Sequence, residues 1–531
     1  MTELKVNEVG SVGVVKDISS HRLQPNAWSD VKNVRFNNLG AHRVQGYSRP
    51  AGTPPIAPFM LVPYRPHDTA YWVVCGVDKI YQFDGKLYTN ITRQVALADL
   101  NYSGQDYDRW NGSAFQGSVI LNNGIDVPQA WQFPYEATKL IDLPDWPALT
   151  TARVVRPFKN SLVALYIIQE NVFKPHQIMW SHPADPGTLP PNWDFDNPAS
   201  DAGVFDLAET PDTLVDCLTL RNANIIYKEA TTWAMTPSRN QFIYNFDQIF
   251  KAVGLLTQGC AVEYSGRHIC VTANDIVIHD AASQQQSLIE KRLRDWLFAN
   301  ISQEEYHKSF LLLQEKRREV WFCFPEAGST WCNKVIVISL TDGEWAIRDL
   351  PNISSLVWGP LLETSRLTTW DQSVGAWDSS SGAWGQPPRG SHFLGTLISA
   401  APELGQIYKF DDTLKQDGIN FQSYLERIDV PLGPAGQDGS IAADYVNKKL
   451  VQHVYPIINA PQGTAFQIHY GGRDDLNGLV IWQDSKTFRV GIDKKVDLWF
   501  NTKSLALRFS SEAPTDWTME GYKVVYEMCG Q

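Results

Sequence analysis

GRHICVTANDIVIHD (residues 266–280) is the stretch whose reading decides the fold. An apolar, β-branched run stops at Asn274-Asp275 and resumes at once. Asn and Asp side chains hydrogen-bond their own backbone and tolerate a tight reversal, so the pattern predicts two antiparallel strands joined by a two-residue turn. YWVVCGVDKIYQFDG (71–85) repeats the form around Val77-Asp78, and KVIVISLTDGEWAIRD (334–349) around Asp342-Gly343. AFQGSVILNNG (114–124), NSLVALYII (160–168), NANIIYKEATTWAM (222–235) and GQIYKFDD (405–412) keep the cadence. Strand signals therefore run from residue 70 to about 412, broken by Gly, Asn and Asp.

The strand clusters recur every roughly 40 to 50 residues, the length of one four-stranded propeller blade, and six or seven such blades fit. A large β-sandwich, or two stacked β-domains, produces similar short strands and is the alternative. After the Gly-rich stretch VPLGPAGQDGS (430–440) a second strand-rich unit follows, with KLVQHVYPIINA, AFQIHYGGRD, LVIWQD, DLWFNTKSLALRFSS and GYKVVYEM as its strands. The expected fold is mainly β: a β-propeller-like platform with a C-terminal β-sandwich-like domain. Residues 1–65 form an N-terminal arm and docking segment, 66–425 the propeller-like domain, and 440–531 the sandwich-like one. One helix is expected, over SLIEKRLRDWLFANI (287–301), where Leu288, Leu293, Trp296, Leu297 and Ile301 approximate one face.

Two insertions interrupt the pattern. HPADPGTLPPNWDFDNPASDAGVFDLAETPD (182–212) has five prolines before Ala199 and many acids, so it reads as an extended surface loop. The second spans 360–390 and contains Trp370, Trp377 and Trp384 at seven-residue intervals, with Gly and Ser between them. A coiled coil is excluded by that filling, and tight hairpin turns capped by tryptophan are expected.

Composition supports a β-rich globular chain: 531 residues, 43% hydrophobic and 12% aromatic. That length predicts more than one packed unit. A formal charge of −12 puts tight phosphate-neutralising contact with nucleic acid at a disadvantage. The opening residues lack a signal-peptide pattern and no apolar run reaches the roughly 18 residues of a membrane helix, so neither secretion by that route nor membrane insertion is expected. The seven cysteines are sparse and contain no C-x-x-C pair, which reads as buried thiols; Cys260/Cys270 and Cys323/Cys332 are the pairs that approach most closely in sequence.

Phosphate-binding, dinucleotide, serine-hydrolase and zinc-protease motifs are all missing from the sequence. The eleven histidines are scattered, and the acid pairs Asp106/Asp108, Asp194/Asp196 and Asp411/Asp412 read first as turn formers. No catalytic residue, metal ligand or cofactor is expected.

One segment carries a resemblance. In VGVVKDISSHRLQPNAWSDVKNVRFNNLGAHRVQGYSRP (12–50), the residues Asn26, Trp28, Ser29, Asp30, Asn33, Val34, Arg35 and Phe36, followed by Gly40, Arg43, Val44 and Gly46, resemble the opening of the tail nozzle proteins (tail tubular protein B family) of short-tailed bacteriophages. Similar pieces follow in the same order at 71–93, 157–165, 177–193, 291–298 and 341–350, so the resemblance spans about residues 12 to 412. It implies a structural virion protein: a hexameric ring of identical subunits, assembled in the bacterial cytoplasm and docked on the adaptor ring below the portal. Such a ring continues the DNA-ejection channel, retains the packaged DNA and holds tail fibres or spikes, with double-stranded DNA passing non-specifically. A wall along which DNA slides should be acidic, and insertions of repeat folds collect on one face. Asp194, Asp196, Asp201, Asp206, Glu209 and Asp212 are therefore the expected lumen-facing charges. The runner-up is a carbohydrate-active propeller, a sialidase-like or other glycan-degrading tail protein, which would require an arginine and acid cluster at the centre of the ring.

Overall fold

The computed structural model describes residues 2–37, 39–66, 70–238, 243–282, 284–290, 292–341, 343–360, 395–434 and 441–530. Strands dominate, and they fall into many small antiparallel sheets. Among the described residues seven of these sheets have four strands each. In chain order, their first strands are Met60–Tyr64, Asn111–Phe115, Thr150–Phe158, Leu214–Leu220, Ala261–Tyr264, Phe310–Gln314 and Ser355–Pro360. Each of the first six sheets is a simple meander. The seventh takes three strands from Ser355–Pro360, Gly395–Ala401 and Gln406–Phe410, and its fourth, Tyr47–Ser48, from near the start of the chain. The first strand of every sheet packs against the first strand of the next, and that of the seventh returns to that of the first, so the contacts run in a cycle.

This arrangement explains why the strands read as continuous apolar runs. Neighbouring residues of one strand face opposite sides, and here both sides meet a sheet. Val73 packs between the first and second sheets while Val74 packs toward the seventh. Ile120 faces the third sheet and Leu121 the first; Val163 faces the fourth and Ala164 the second.

The remaining strands form a lobe of two six-stranded sheets. One orders Val34–Asn37, Gly40–Arg43, Thr518–Gly530, Lys448–Asn459 and Val496–Thr502, with Thr2–Asn7 also paired to Thr518–Gly530. The other orders Asp30–Lys32, Ser423–Val430, Ser504–Ser511, Ala465–Arg473 and Ile481–Trp482, with Lys486–Arg489 on Ala465–Arg473. Their inner faces meet through aromatic rings: Tyr522 lies 5.4 Å from Phe509, and Trp28 packs on both.

Several expectations change. The segment 1–65, expected as an N-terminal arm and docking segment, supplies strands to both sheets of the lobe and to the first and seventh four-stranded sheets, and the lobe also draws Ser423–Val430 from before residue 440. The helix is only Arg294–Asn300, because Gln285–Ser287 is already the last strand of the fifth sheet. Asp17 receives the N–H groups of Asp295 and Trp296 at 3.1 and 3.0 Å and caps that helix from outside. The hairpins at 71–85 and 266–280 exist, but their connections are the four residues 76–79 and 272–275. In the hairpin at 334–349, Asp342 lies outside the described residues. Within 182–212, Gly203–Asp206 pairs as the fourth strand of the third sheet, and Leu189, Trp193 and Leu207 are buried. Trp370, Trp377 and Trp384 also lie outside the described residues. All seven cysteines are free, six of them buried; Cys270 stands opposite Ala261 and Cys323 opposite Val335, so neither suspected pair faces across a ladder.

Candidate functional site

The six expected acids do not form one group. Asp194, Asp196, Asp201, Asp206 and Glu209 are exposed on the insertion. Asp194 accepts the N–H of Asp196 at 3.1 Å, an Asx turn that shapes the loop. Asp212 is different. Its carboxylate accepts the N–H groups of Ala230 and Thr231 at 3.0 and 2.9 Å and lies 3.2 Å from the buried Lys228 ammonium. Burial works against that charge, but hydrogen bonds from Thr210, Ala230 and Thr231 and the charge of Lys228 outweigh it and hold the carboxyl down to about 2. Lys228 in turn donates to Leu207 O at 3.0 Å and Thr210 O at 2.7 Å. Asp212 is thus a staple that fastens the insertion to the fourth sheet.

A second site was not legible as a cluster. Where the chain enters the first strands of the second, fifth and sixth sheets, two cavities of ≈ 810 and ≈ 240 Å³ adjoin, and Asp108, Arg109 and Gln258 line both. Arg109 Nη1 donates to Gln258 O, His307 O and Ser309 O at 2.7, 2.9 and 2.9 Å, bridging from the second sheet to the fifth and sixth. Beside it, Arg156 grips Asp216 through two 2.9 Å hydrogen bonds, and Asp216 also accepts the Gly259 N–H at 2.9 Å. Burial pushes Arg109 down, whereas for Arg156 the charge of Asp216 outweighs burial and pushes it up. Arginines and an acid therefore do meet at the middle of the cycle. Arg156 and Asp216 neutralise one another, and Arg109 is held by backbone carbonyls. The legible signal was a charge interrupting an apolar strand, Arg156 in TTARVVRPF and Asp216 in LVDCLTL; their convergence was not. Among the described residues, no three His, Cys, Asp or Glu side chains gather as a cation site would require.

The third site is the junction between lobe and cycle, and it is built from the residues 26–46 singled out in the sequence. Trp28 is buried and donates to Val9 O at 2.7 Å. Ser29 accepts the Ile428 N–H, and Asp30 pairs with Lys16 at 2.7 Å. Asn33 donates to Gln422 O at 2.9 Å and accepts the Asp349 N–H at 3.0 Å, touching lobe and sixth sheet at once. Arg35 pairs with Glu319 at 2.8 Å and Asp411 at 3.1 Å. Arg348 holds the other Asp411 oxygen at 2.8 Å and donates to Gln45 O at 2.7 Å. Burial opposes charge on Asp411, but Arg35, Arg348 and Arg317 outweigh it and hold its carboxyl well below the usual range. Arg43 reaches Leu414 O at 3.0 Å, and at Gly46 any Cβ would stand 1.9 Å from Lys415 O.

No protein-family model and no curated protein matches the chain.

Proposed function

We propose that the chain is a structural subunit of a short-tailed phage tail, forming the nozzle below the adaptor, and that its fold is a seven-bladed β-propeller joined to a β-sandwich lobe. The cycle of first-strand contacts supports the propeller, as does the fourth strand that Tyr47–Ser48 lends to the seventh sheet, a closure that ties the two ends of the cycle together. Face-to-face aromatic packing of the two six-stranded sheets supports the sandwich.

The observation that carries the functional reading is where the nozzle-like residues lie. Asn33, Arg35, Arg43 and Gly46 are spent on fixing the lobe to the propeller, and Trp28 on packing the two sheets of the lobe together. A motif used in this way specifies an architecture and not a reaction. The proposed role is mechanical: six copies surround a channel, carry DNA outward and hold fibres or spikes. The exposed Asp194, Asp196, Asp201, Asp206 and Glu209 are among the acids behind the chain's formal charge of −12, which disfavours tight binding of a passing duplex. Against the glycan-degrading reading, Arg109 and Arg156 at the middle of the cycle are both engaged, which leaves Arg153 as the one arginine of the larger cavity whose guanidinium has neither a hydrogen bond nor an ion pair among the described residues.

The test is negative-stain imaging of the purified chain mixed with its candidate adaptor–portal complex, with the chain alone as control. Sixfold density extending the complex around a central channel is expected. Absence of binding to that complex would overturn the nozzle assignment.

A further inference from the structure

The cavity of ≈ 810 Å³ has a lining that the structural role does not use. Its size falls within the range of ordinary small-molecule sites. Three of the aromatic rings that the fold leaves open to water, Tyr107 (60% exposed), Phe173 (66%) and Tyr306 (41%), lie on this one cavity, and Tyr166 and Phe298 add two more. Rings left open together in a concavity mark a binding surface, since each buries a large area at little entropic cost when covered.

The polar groups among the rings are incompletely used. Arg153 is exposed, lies 5.4 Å from the Tyr166 ring and has no ion pair among the described residues. His307 Nε2 is buried without a hydrogen-bond partner there, while its Nδ1 faces Glu304 O at 3.2 Å. Gln303 and Glu229 are exposed at the lining, and among the described residues Asp108 accepts only the Gln105 N–H, at 2.8 Å. Asp108 and Glu229 balance the charges of Arg109 and Arg153, so the lining carries no surplus of positive charge to draw phosphate or polyanions.

Aromatic faces interspersed with an amide, carboxylates and a guanidinium, without a surplus of positive charge, match one ligand chemistry. A pyranose offers flat C–H faces that cover rings, and a circumference of hydroxyls that both donate and accept. We infer that this cavity binds a neutral oligosaccharide, with Tyr107, Phe173 and Tyr306 as stacking platforms and Gln303, Arg153, Asp108 and His307 as hydrogen-bonding groups. The inference does not rest on the tail assignment.

Maltotriose, cellotriose and chitotriose, each titrated into the full chain, test it by saturation-transfer NMR and calorimetry. Saturable binding of at least one is expected, weakened about tenfold by Tyr306→Ala or Phe173→Ala, as for loss of a stacked ring. Trp499→Ala, an exposed ring on the lobe, should leave it unchanged. No saturable binding at millimolar sugar, or equal binding by the cavity variants and wild type, would overturn the inference. Because the ring residues are exposed, their loss should leave the melting temperature in place. Release of new reducing ends would uphold the site while overturning the purely mechanical reading above.

Discussion

Acidification should unfold this protein through two histidines that are buried without charge. His268 and His279 sit between the fourth and fifth sheets, both under 2% exposed, and share the Tyr227 hydroxyl at 2.8 and 2.9 Å. The hydrogen bonds fix the tautomers. His279 Nδ1 accepts the Ala281 N–H, so its Nε2 donates to Tyr227; Tyr227 donates to His268 Nδ1, whose Nε2–H reaches Thr219 O at 3.2 Å. A proton on either ring would put a donor against a donor. Burial lowers both to about 4, with the charge of His268 adding to the effect on His279, and the attraction of Glu263 and Asp280 does not offset it. The unfolded imidazoles titrate near 6.5, so below that value the unfolded state binds more protons and gains. The stabilisation is complete above about pH 6.5 and drains away as the pH falls toward 4. At about pH 5 each histidine should cost roughly 2 kcal/mol, up to roughly 4 for the pair, a large share of an ordinary domain's stability.

Urea unfolding at about pH 7.5 and pH 5 measures this loss, and ring-carbon NMR of labelled histidine assigns it. A His307→Gln/His469→Gln background removes the other two imidazoles that burial also lowers. Resonances of His268 and His279 that titrate near 6.5, or a urea midpoint that does not move between the two conditions, would refute the reasoning.

Lys228→Met should cost about 3–5 kcal/mol in urea unfolding, because it leaves the Asp212 carboxylate without its counter-charge and the carbonyls of Leu207 and Thr210 without their donor; a loss below about 1 kcal/mol would show that the staple is dispensable. Gly46→Ala should destabilise by about 1–3 kcal/mol or more, since its Cβ meets the Lys415 backbone, which cannot rotate aside as a side chain would. Hydrogen exchange should localise that damage to Tyr47–Ser48 and the seventh sheet, and a uniform effect would contradict it.

The mainly-β class was legible because its cause is local. A strand that packs a sheet on each face must be apolar at consecutive positions, and Val73-Val74, Ile120-Leu121 and Val163-Ala164 display this directly. The turns at 76–79 and 272–275 were legible for the same reason, though loop length was not: two-residue reversals were expected where four residues turn. The free thiols likewise followed from their sparse spacing.

The sequence by itself determined that residues 70 to about 412 would pair with their neighbours, since each hairpin closes over a few residues and its turn chemistry is written between the strands. Only the tertiary structure decided which distant segments meet. Thr2–Asn7 pairs with Thr518–Gly530, Asp30–Lys32 with Ser423–Val430, and Tyr47–Ser48 with Gln406–Phe410. Arg109 likewise finds carbonyls some 149 to 200 residues away. Such contacts close very long loops at a cost that grows only slowly with length, so no local pattern has to announce them. Their partners are chosen by complementary faces and buried charge, and those exist only once the chain has folded.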